Sequence, residues 1–169
     1  MQIEIALAED AHRLADIFIH HITAHTEYIS HGEMQMGVGV GQFEEGHLKA
    51  RPAPDARKKW MGYILTHIED ASFAEVFKAV ENGKIIGFAV ADIEEDGDAP
   101  FGMVCDVLVE EDARGSGAGS ALLDAAIQWL RSRGIKDIYL ESGKDNHAAH
   151  RFFEKRGFTH ISEIYKLNN

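Results

Sequence analysis

Residues Gln2 to Leu7, QIEIAL, alternate polar and apolar positions with period two, which predicts a short strand with one wet face. After Asp10, a residue type suited to capping, Ala11, Leu14, Ala15, Phe18 and Ile22 recur at helical spacing and predict a first helix. From His25 to Arg51 no periodicity is sustained, and the segment contains the glycine-spaced MGVGVGQFEEGH. It reads as a long irregular connection with a short helical turn, of the kind that often carries function. Beyond Pro54, suited to a first helical turn, Trp60, Met61, Ile64, Leu65 and Ile68 mark a second helix.

FAEVFKAV and KIIGFAVADIE flank Glu81-Asn82-Gly83-Lys84, and Asn-Gly between apolar runs predicts a hairpin. A second turn, EEDGDAP, leads to FGMVCDVLVE, whose near-continuous apolar character predicts a central strand covered on both faces. Asp106 is its charged exception, opposite in phase to Cys105, Val107 and Val109. Leu122, Leu123, Ala126, Ile127 and Leu130 then make one face of a helix that ends at Gly134. KDIYLES predicts a further strand, Asp145 or Asn146 caps a short helix closed by Gly157, and FTHISEIYKL predicts one or two final strands. With no repeat or linker to divide it, the chain reads as a single mixed α+β domain over residues 1–169.

The composition narrows the setting. With 169 residues, 45% hydrophobic and 27% charged, the chain is large enough for one core and ordinary for a globular protein. One cysteine excludes an internal disulfide, and no apolar run reaches the roughly 20 residues of a membrane span. No secretory signal pattern opens the chain, so a cytoplasmic location is expected, with no membrane partner. A net charge of −11 argues against a nucleic-acid partner.

The stretch VEEDARGSGAGSALL, Val109 to Leu123, places three glycines between a strand and a helix. A P-loop would need Lys-Ser or Lys-Thr after its last glycine, where this chain has Gly119-Ser120-Ala121. A dinucleotide fingerprint would need a third small residue where Ser120 or Leu122 stands. The remaining pattern, Arg114-x-x-Gly117-x-Gly119, fits an anion site in which helix-start N–H groups without intrahelical acceptors take a pyrophosphate. Missing side chains let the phosphates approach the backbone, and Arg114 adds positive charge.

On these residues the chain resembles the GNAT superfamily of acyl-CoA-dependent N-acetyltransferases. Val107-Leu108-Val109, an acidic spacer, Arg114 to Gly119 and Ala121-Leu122-Leu123 are similar to the family's strand, pyrophosphate loop and helix. Asn146, Ala149, Phe152, Phe153, Glu154, Lys155, Gly157 and Phe158 are similar to its second block. The resemblance implies a GNAT-like domain, a central mixed, mostly antiparallel sheet flanked by about four helices, with acetyl-CoA as acyl donor. It further implies that Arg114, Gly115, Ser116, Gly117, Ala118, Gly119 and Ser120 hold the pyrophosphate. Leu108 and Val109 would pair with the pantetheine arm, and Asn146 would bond the cofactor near the thioester. A homodimer is compatible with the family.

Acyl transfer to an amine needs the nucleophile neutral, whereas a lysine-like ammonium with pKa near ~10.4 is protonated at pH 7. Asp106 is the expected base or amine anchor, set against a purely structural aspartate. Phe153 stands where many family members have a tyrosine that protonates the departing thiolate. Ser142, His147, His150 and Tyr165 are the alternative donors. Cys105 reads as a small buried hydrophobe rather than a covalent nucleophile. His21 and His25 have helical i, i+4 spacing but no paired acid or cysteine at ligand spacing, so no metal is expected. His25, Glu27 and Tyr28 are read as a wall of the acceptor pocket. The expected activity is acetyl transfer from acetyl-CoA to a primary amine of a small molecule by direct attack in a ternary complex. The alternatives are a weakly catalytic acyl-CoA sensor and a protein or peptide N-acetyltransferase.

Overall fold

A computed structural model describes residues 1–95 and 97–167. The chain forms two compact units, the first from residues 1–20 and 60–140, the second from residues 21–59 and 141–169.

The first unit is built on a five-stranded sheet: β1 (Gln2–Ile5), β4 (Ala74–Glu81), β5 (Lys84–Glu94), β6 (Phe101–Val109) and β7 (Ile138–Leu140), adjacent in that order. Neighbours are antiparallel except β6 and β7, which run parallel. The β4–β5 hairpin turns on Asn82 (φ 50°) and Gly83 (φ 75°), both left-handed as a type I′ turn requires. The turn between β5 and β6 includes Asp96, which lies outside the described residues.

β5, rather than β6, is the buried strand: Ile86 to Asp92 are all buried, whereas most β6 side chains are only half-buried. Hydrophobicity alone could not separate the two, because β6 owes its apolar sequence to a neighbourhood that covers it only in part.

α1 (Ala11–Ala24) opens after a 3-10 turn, and Asp10 turns back to accept from the N–H of Leu7 and from Lys78 Nζ, each in its own bond, instead of capping the helix. α3 (Ala56–Glu69) contributes Trp60, which stacks on Phe18 at 4.6 Å between ring centres and meets Phe88 of β5 at 5.4 Å. α4 (Ala118–Ser132) buries Ala118, Leu122, Leu123, Ala126 and Leu130. Gly102 lets Leu130 come close, since a Cβ there would lie 2.7 Å from Leu130 Cδ2. α4 ends on Gly134, whose positive φ turns Ile135 back so that its N–H bonds Leu130 O.

In the second unit the expected irregular segment is ordered. It holds a 3-10 turn at Thr26–Tyr28, α2 (His31–Gln35) and a hairpin of β2 (Gly39–Glu44) with β3 (His47–Pro52). The hairpin turns on Glu45 and Gly46, both at positive φ, and Lys49 pairs with Glu44 at 2.8 Å. Its glycines obscured the strand pattern for a packing reason. A Cβ on Gly39 would lie 2.5 Å from Ile29, and one on Gly41 would lie 2.7 Å from Leu48 and 3.1 Å from Met34.

α5 (His147–Lys155) completes the regular elements of this unit. The final strands expected from FTHISEIYKL are absent among the described residues, and Ile161, Ile164, Tyr165 and Leu167 are exposed. Neither face of that stretch is uniformly apolar: Glu163 interrupts Ile161, Tyr165 and Leu167, while Ser162 and Lys166 flank Ile164. Burial therefore does not favour one strand register.

Candidate active site

Two irregularities set the geometry of β6. Its register against β5 jumps between Ala91↔Val104 and Val90↔Asp106, leaving Cys105 as the extra residue of a β-bulge. Its parallel ladder with β7 covers only Gly102, Met103 and Val104. Cys105 to Val109 thus run beyond the end of that ladder while remaining anchored to β5, with Leu108 opposite Phe88 and Val109 opposite Gly87. Gly87 is a close-approach residue, because a Cβ there would sit 2.5 Å from Leu108 O.

The bulge corrects the phase assigned to Asp106. Strict alternation would put Cys105 and Asp106 on opposite faces, yet Tyr63 of α3 interacts with both. Its hydroxyl donates to Asp106 Oδ2 at 3.2 Å. Burial, reinforced by the Asp106 charge, holds the Tyr63 phenol well above its usual pKa, so it remains a hydrogen-bond donor. Such a phenol is too weak an acid to protonate a thiolate whose conjugate acid lies near ~8.5. Tyr63 was not among the residues singled out from sequence, where it is one more aromatic on an amphipathic helix. Cys105 is held as a thiol by burial and by the Asp92 and Asp106 carboxylates, as expected for a non-nucleophilic cysteine.

Beyond β6, a 3-10 turn at Glu111–Ala113 leads to the glycine loop. Arg13 braces the entry, pairing with Glu110 at 2.6 Å and donating to Ile85 O at 2.9 Å. Gly115 and Gly117 adopt φ of 84° and 90°, and Gly117 is the cap residue of α4. The intrahelical ladder reaches Gly117 O through the N–H of Ala121. Gly119 and Ser120 therefore present their N–H groups ahead of the ladder, as every helix start does. Ser116 Oγ accepts from Ala118 N at 3.3 Å, and Arg114 lies 3.8 Å from Glu111.

A Cβ on Gly115 or Gly117 would meet nothing within 4 Å, so these positions need glycine for their backbone angle and not for room inside the protein. Gly117→Val is expected to lower stability by about 1–2 kcal/mol through backbone strain, or roughly 2–8 °C in Tm, and to raise the KM for the acyl donor. An unchanged melting curve would contradict this assignment.

In the second unit His25, Glu27 and Tyr28 come together. His25 Nδ1 lies 3.2 Å from Glu27 Oε1, and its ring stacks on Tyr28 at 4.8 Å. The buried His21 also stacks on Tyr28, at 6.0 Å between ring centres. Ser30 and Glu33 form a capping box on α2, and Gly32 N–H also donates to Glu141 at 2.8 Å. Gly143 touches the backbone oxygen of Glu27 so closely that no side chain fits there.

Asn146 caps α5, its Oδ1 accepting from Ala149 N at 3.2 Å. Phe153 packs edge-on against Phe152 and Phe158. Of the alternative acids, His150 bonds Gly143 O at 3.0 Å, and Tyr165 is exposed and donates to Glu163. The structure thus gathers Asp106, Leu108, Val109 and the loop Arg114 to Ser120 in the first unit. Asn146 and the His25 cluster belong to the second.

In the first unit, then, β6 outruns its parallel neighbour and feeds a left-handed glycine turn into a helix. The profile of the Acetyltransferase (GNAT) family matches residues 42–158, and the chain belongs to that family. A mycothiol acetyltransferase of Thermobispora bispora is 38% identical over 89 residues, 51% of this chain and 30% of that protein. The [ribosomal protein bS18]-alanine N-acetyltransferase of Escherichia coli K12 is 33% identical over 82 residues, 48% of this chain and 53% of that one. These curated relatives are therefore matched over about half of their length or less. A predicted acetyltransferase from Clostridium acetobutylicum, solved with acetyl-CoA, shares the fold with a TM-score of 0.71 and 20% identity, covering 99% of this chain and 95% of that one. No helix among the described residues is long and apolar enough to cross a membrane.

Proposed function

We propose that this chain transfers the acetyl group of acetyl-CoA to a primary amine of a small molecule by direct attack in a ternary complex. The observation that carries this reading is the continuity within one unit of the bulged β6 bearing Asp106, its edge beyond the β7 ladder, and the left-handed glycine loop that starts α4. A pantetheine arm would add its amides along Leu108 and Val109, as a strand does. The pyrophosphate would rest on the N–H groups of the Arg114 to Ser120 loop, favoured by the α4 dipole.

Asp106, oriented by the Tyr63 hydroxyl, would take the proton from the acceptor ammonium or hold that ammonium in place. The neutral amine nitrogen would attack the thioester carbonyl, the C–S bond would break as the thiolate of coenzyme A leaves, and the second amine proton would pass to water or to that thiolate. With a thiol pKa near ~8.5, this departure does not require an obligate acid. Phe153 is thereby free to serve packing. The His25, Glu27 and Tyr28 cluster, carrying an acidic group and aromatic faces, is suited to a cationic acceptor.

The relatives' names include both mycothiol and an alanine of ribosomal protein bS18, so the acceptor class is the part to test. Thiol release from acetyl-CoA should rise above background with at least one member of a panel of polyamines, amino acids and aminoglycosides. Release only with peptide amino termini would instead support a protein acetyltransferase. Background release throughout, together with a rise in melting temperature on adding acetyl-CoA, would support the sensor reading and sink the enzyme.

A further inference from the structure

Three side chains from separate elements converge inside the first unit: His67 from α3, Asp92 from β5 and Cys105, the bulge residue of β6. One donor atom of each lies within 4.8 Å of the others. His67 and Asp92 are each only 8% exposed.

His67 Nδ1 lies 2.8 Å from the backbone oxygen of Tyr63, which can only accept, so Nδ1 carries a proton. In the neutral ring Nε2 then presents a lone pair, and it faces Asp92 Oδ2 at 3.3 Å. Two lone pairs at that separation repel unless a proton or a metal ion lies between them. A backbone carbonyl on the far nitrogen is also how proteins fix the tautomer of a metal-binding histidine.

A second observation is independent of the first. Asp92 Oδ1 is buried with no partner at hydrogen-bond distance among the described residues, and the donor that acts on this carboxylate besides His67 is the Cys105 thiol itself. An unmet carboxylate oxygen inside a protein is costly and calls for a ligand. Its residue already stands beside His67 and Cys105.

We propose that His67 Nε2, the Asp92 carboxylate and the Cys105 thiolate bind one divalent transition cation, zinc by donor type, with water in a fourth position. Nitrogen, oxygen and sulfur donors together suit zinc, at bond lengths of about 2.0–2.3 Å, which set donor separations near ~3.3–3.8 Å in a tetrahedron. The His67–Asp92 distance of 3.3 Å already meets this. Cys105 has to close by about 1 Å, the scale of a side-chain adjustment. On binding, the Cys105 S–H bond breaks, its electron pair forms the sulfur–metal bond, and the proton leaves to water. A doubly charged cation, one carboxylate and one thiolate then sum to zero among the ligands, and the Asp106 charge that acts on His67 and Cys105 further favours a cation there. The ion would tie α3 to β5 and β6. This assignment does not depend on the acyl-transfer reading, because none of its ligands was placed in that chemistry.

No zinc signature marks these residues in the sequence, because His67, Asp92 and Cys105 are far apart along the chain and share no motif. His21 and His25, which do have helical ligand spacing, lie in the other unit. The alternative occupant of the cluster is a proton shared between His67 and Asp92.

The test uses the untagged full chain, saturated with zinc and dialysed against metal-free buffer, with metal measured by mass spectrometry. We expect one zinc per chain. Replacement by cobalt should give a thiolate-to-metal charge-transfer band and the intense visible bands of a tetrahedral ion. Cys105→Ser should abolish the charge-transfer band, His67→Gln should lose the metal, and His20→Ala on the exposed helix surface should keep both. Absence of the cobalt thiolate band in the wild-type chain would overturn the assignment in favour of the shared proton, whether or not the variants fold. So would zinc that remains equally bound in Cys105→Ser.

Discussion

Asp106→Asn is expected to lower kcat/KM for acetyl transfer by about 10²–10⁴-fold, the usual contribution of a positioned general base. Asparagine keeps the shape and can still accept from Tyr63, so the fold and the affinity for acetyl-CoA should be retained. The size of the loss should depend on the acceptor. An alkylamine of pKa near ~10.4 is protonated at neutral pH and needs its proton removed, whereas an amine of pKa well below 7 is already neutral. For the second kind the loss should shrink to about tenfold or less, because the base has nothing to do. A loss that falls on the KM for the acceptor, with kcat little changed, would instead identify Asp106 as an anchor for the ammonium. No loss with either would leave it a structural aspartate. Tyr63→Phe should give a smaller decrease of the same character, since it removes an orienting hydrogen bond and leaves the carboxylate.

The largest effect on stability is expected at Trp60. The side chain is 1% exposed, stacked on Phe18 and in contact with Phe88 on the most buried strand. Trp60→Ala removes the largest of the fully buried side chains and opens a cavity between α1, α3 and β5. The cost should be about 3–5 kcal/mol. At roughly 2–4 °C per kcal/mol, a chain of this size should melt some 6–20 °C lower. Trp60→Phe, which keeps a ring against Phe18, should lose much less. Thermal melts of both variants check this, and a Trp60→Ala shift within a degree or two would mean that the Phe18–Trp60–Phe88 stack does not hold the first unit together.

Much of the fold was legible because its signals are local. The Asn82-Gly83 turn needs only two residues that tolerate positive φ, and the apolar stripe from Leu122 to Leu130 needs only helical periodicity. The glycine loop was legible for the same reason, since Gly115 and Gly117 adopt their positive φ directly beside the helix they start. Where the reading failed, the deciding partner was distant. Gly39 and Gly41 made a strand look like a loop, because the side chains of Ile29, Leu48 and Met34 that require them to be glycine lie elsewhere in the sequence. The Phe158 to Leu167 stretch looked like strand, but neither of its faces offers the uniform apolar surface that would fix a register.

By itself the sequence determined the class of fold, the family resemblance and the glycine turn that starts α4, all properties of residues close together in the chain. Tertiary structure decided what stands around Asp106. A single unpaired residue in the β5–β6 ladder turned Cys105 and Asp106 toward the same helix, and one helical turn separates the Tyr63 that meets Asp106 from the His67 that meets Asp92. A bulge is a property of two strands in register, so neither strand's sequence could announce it.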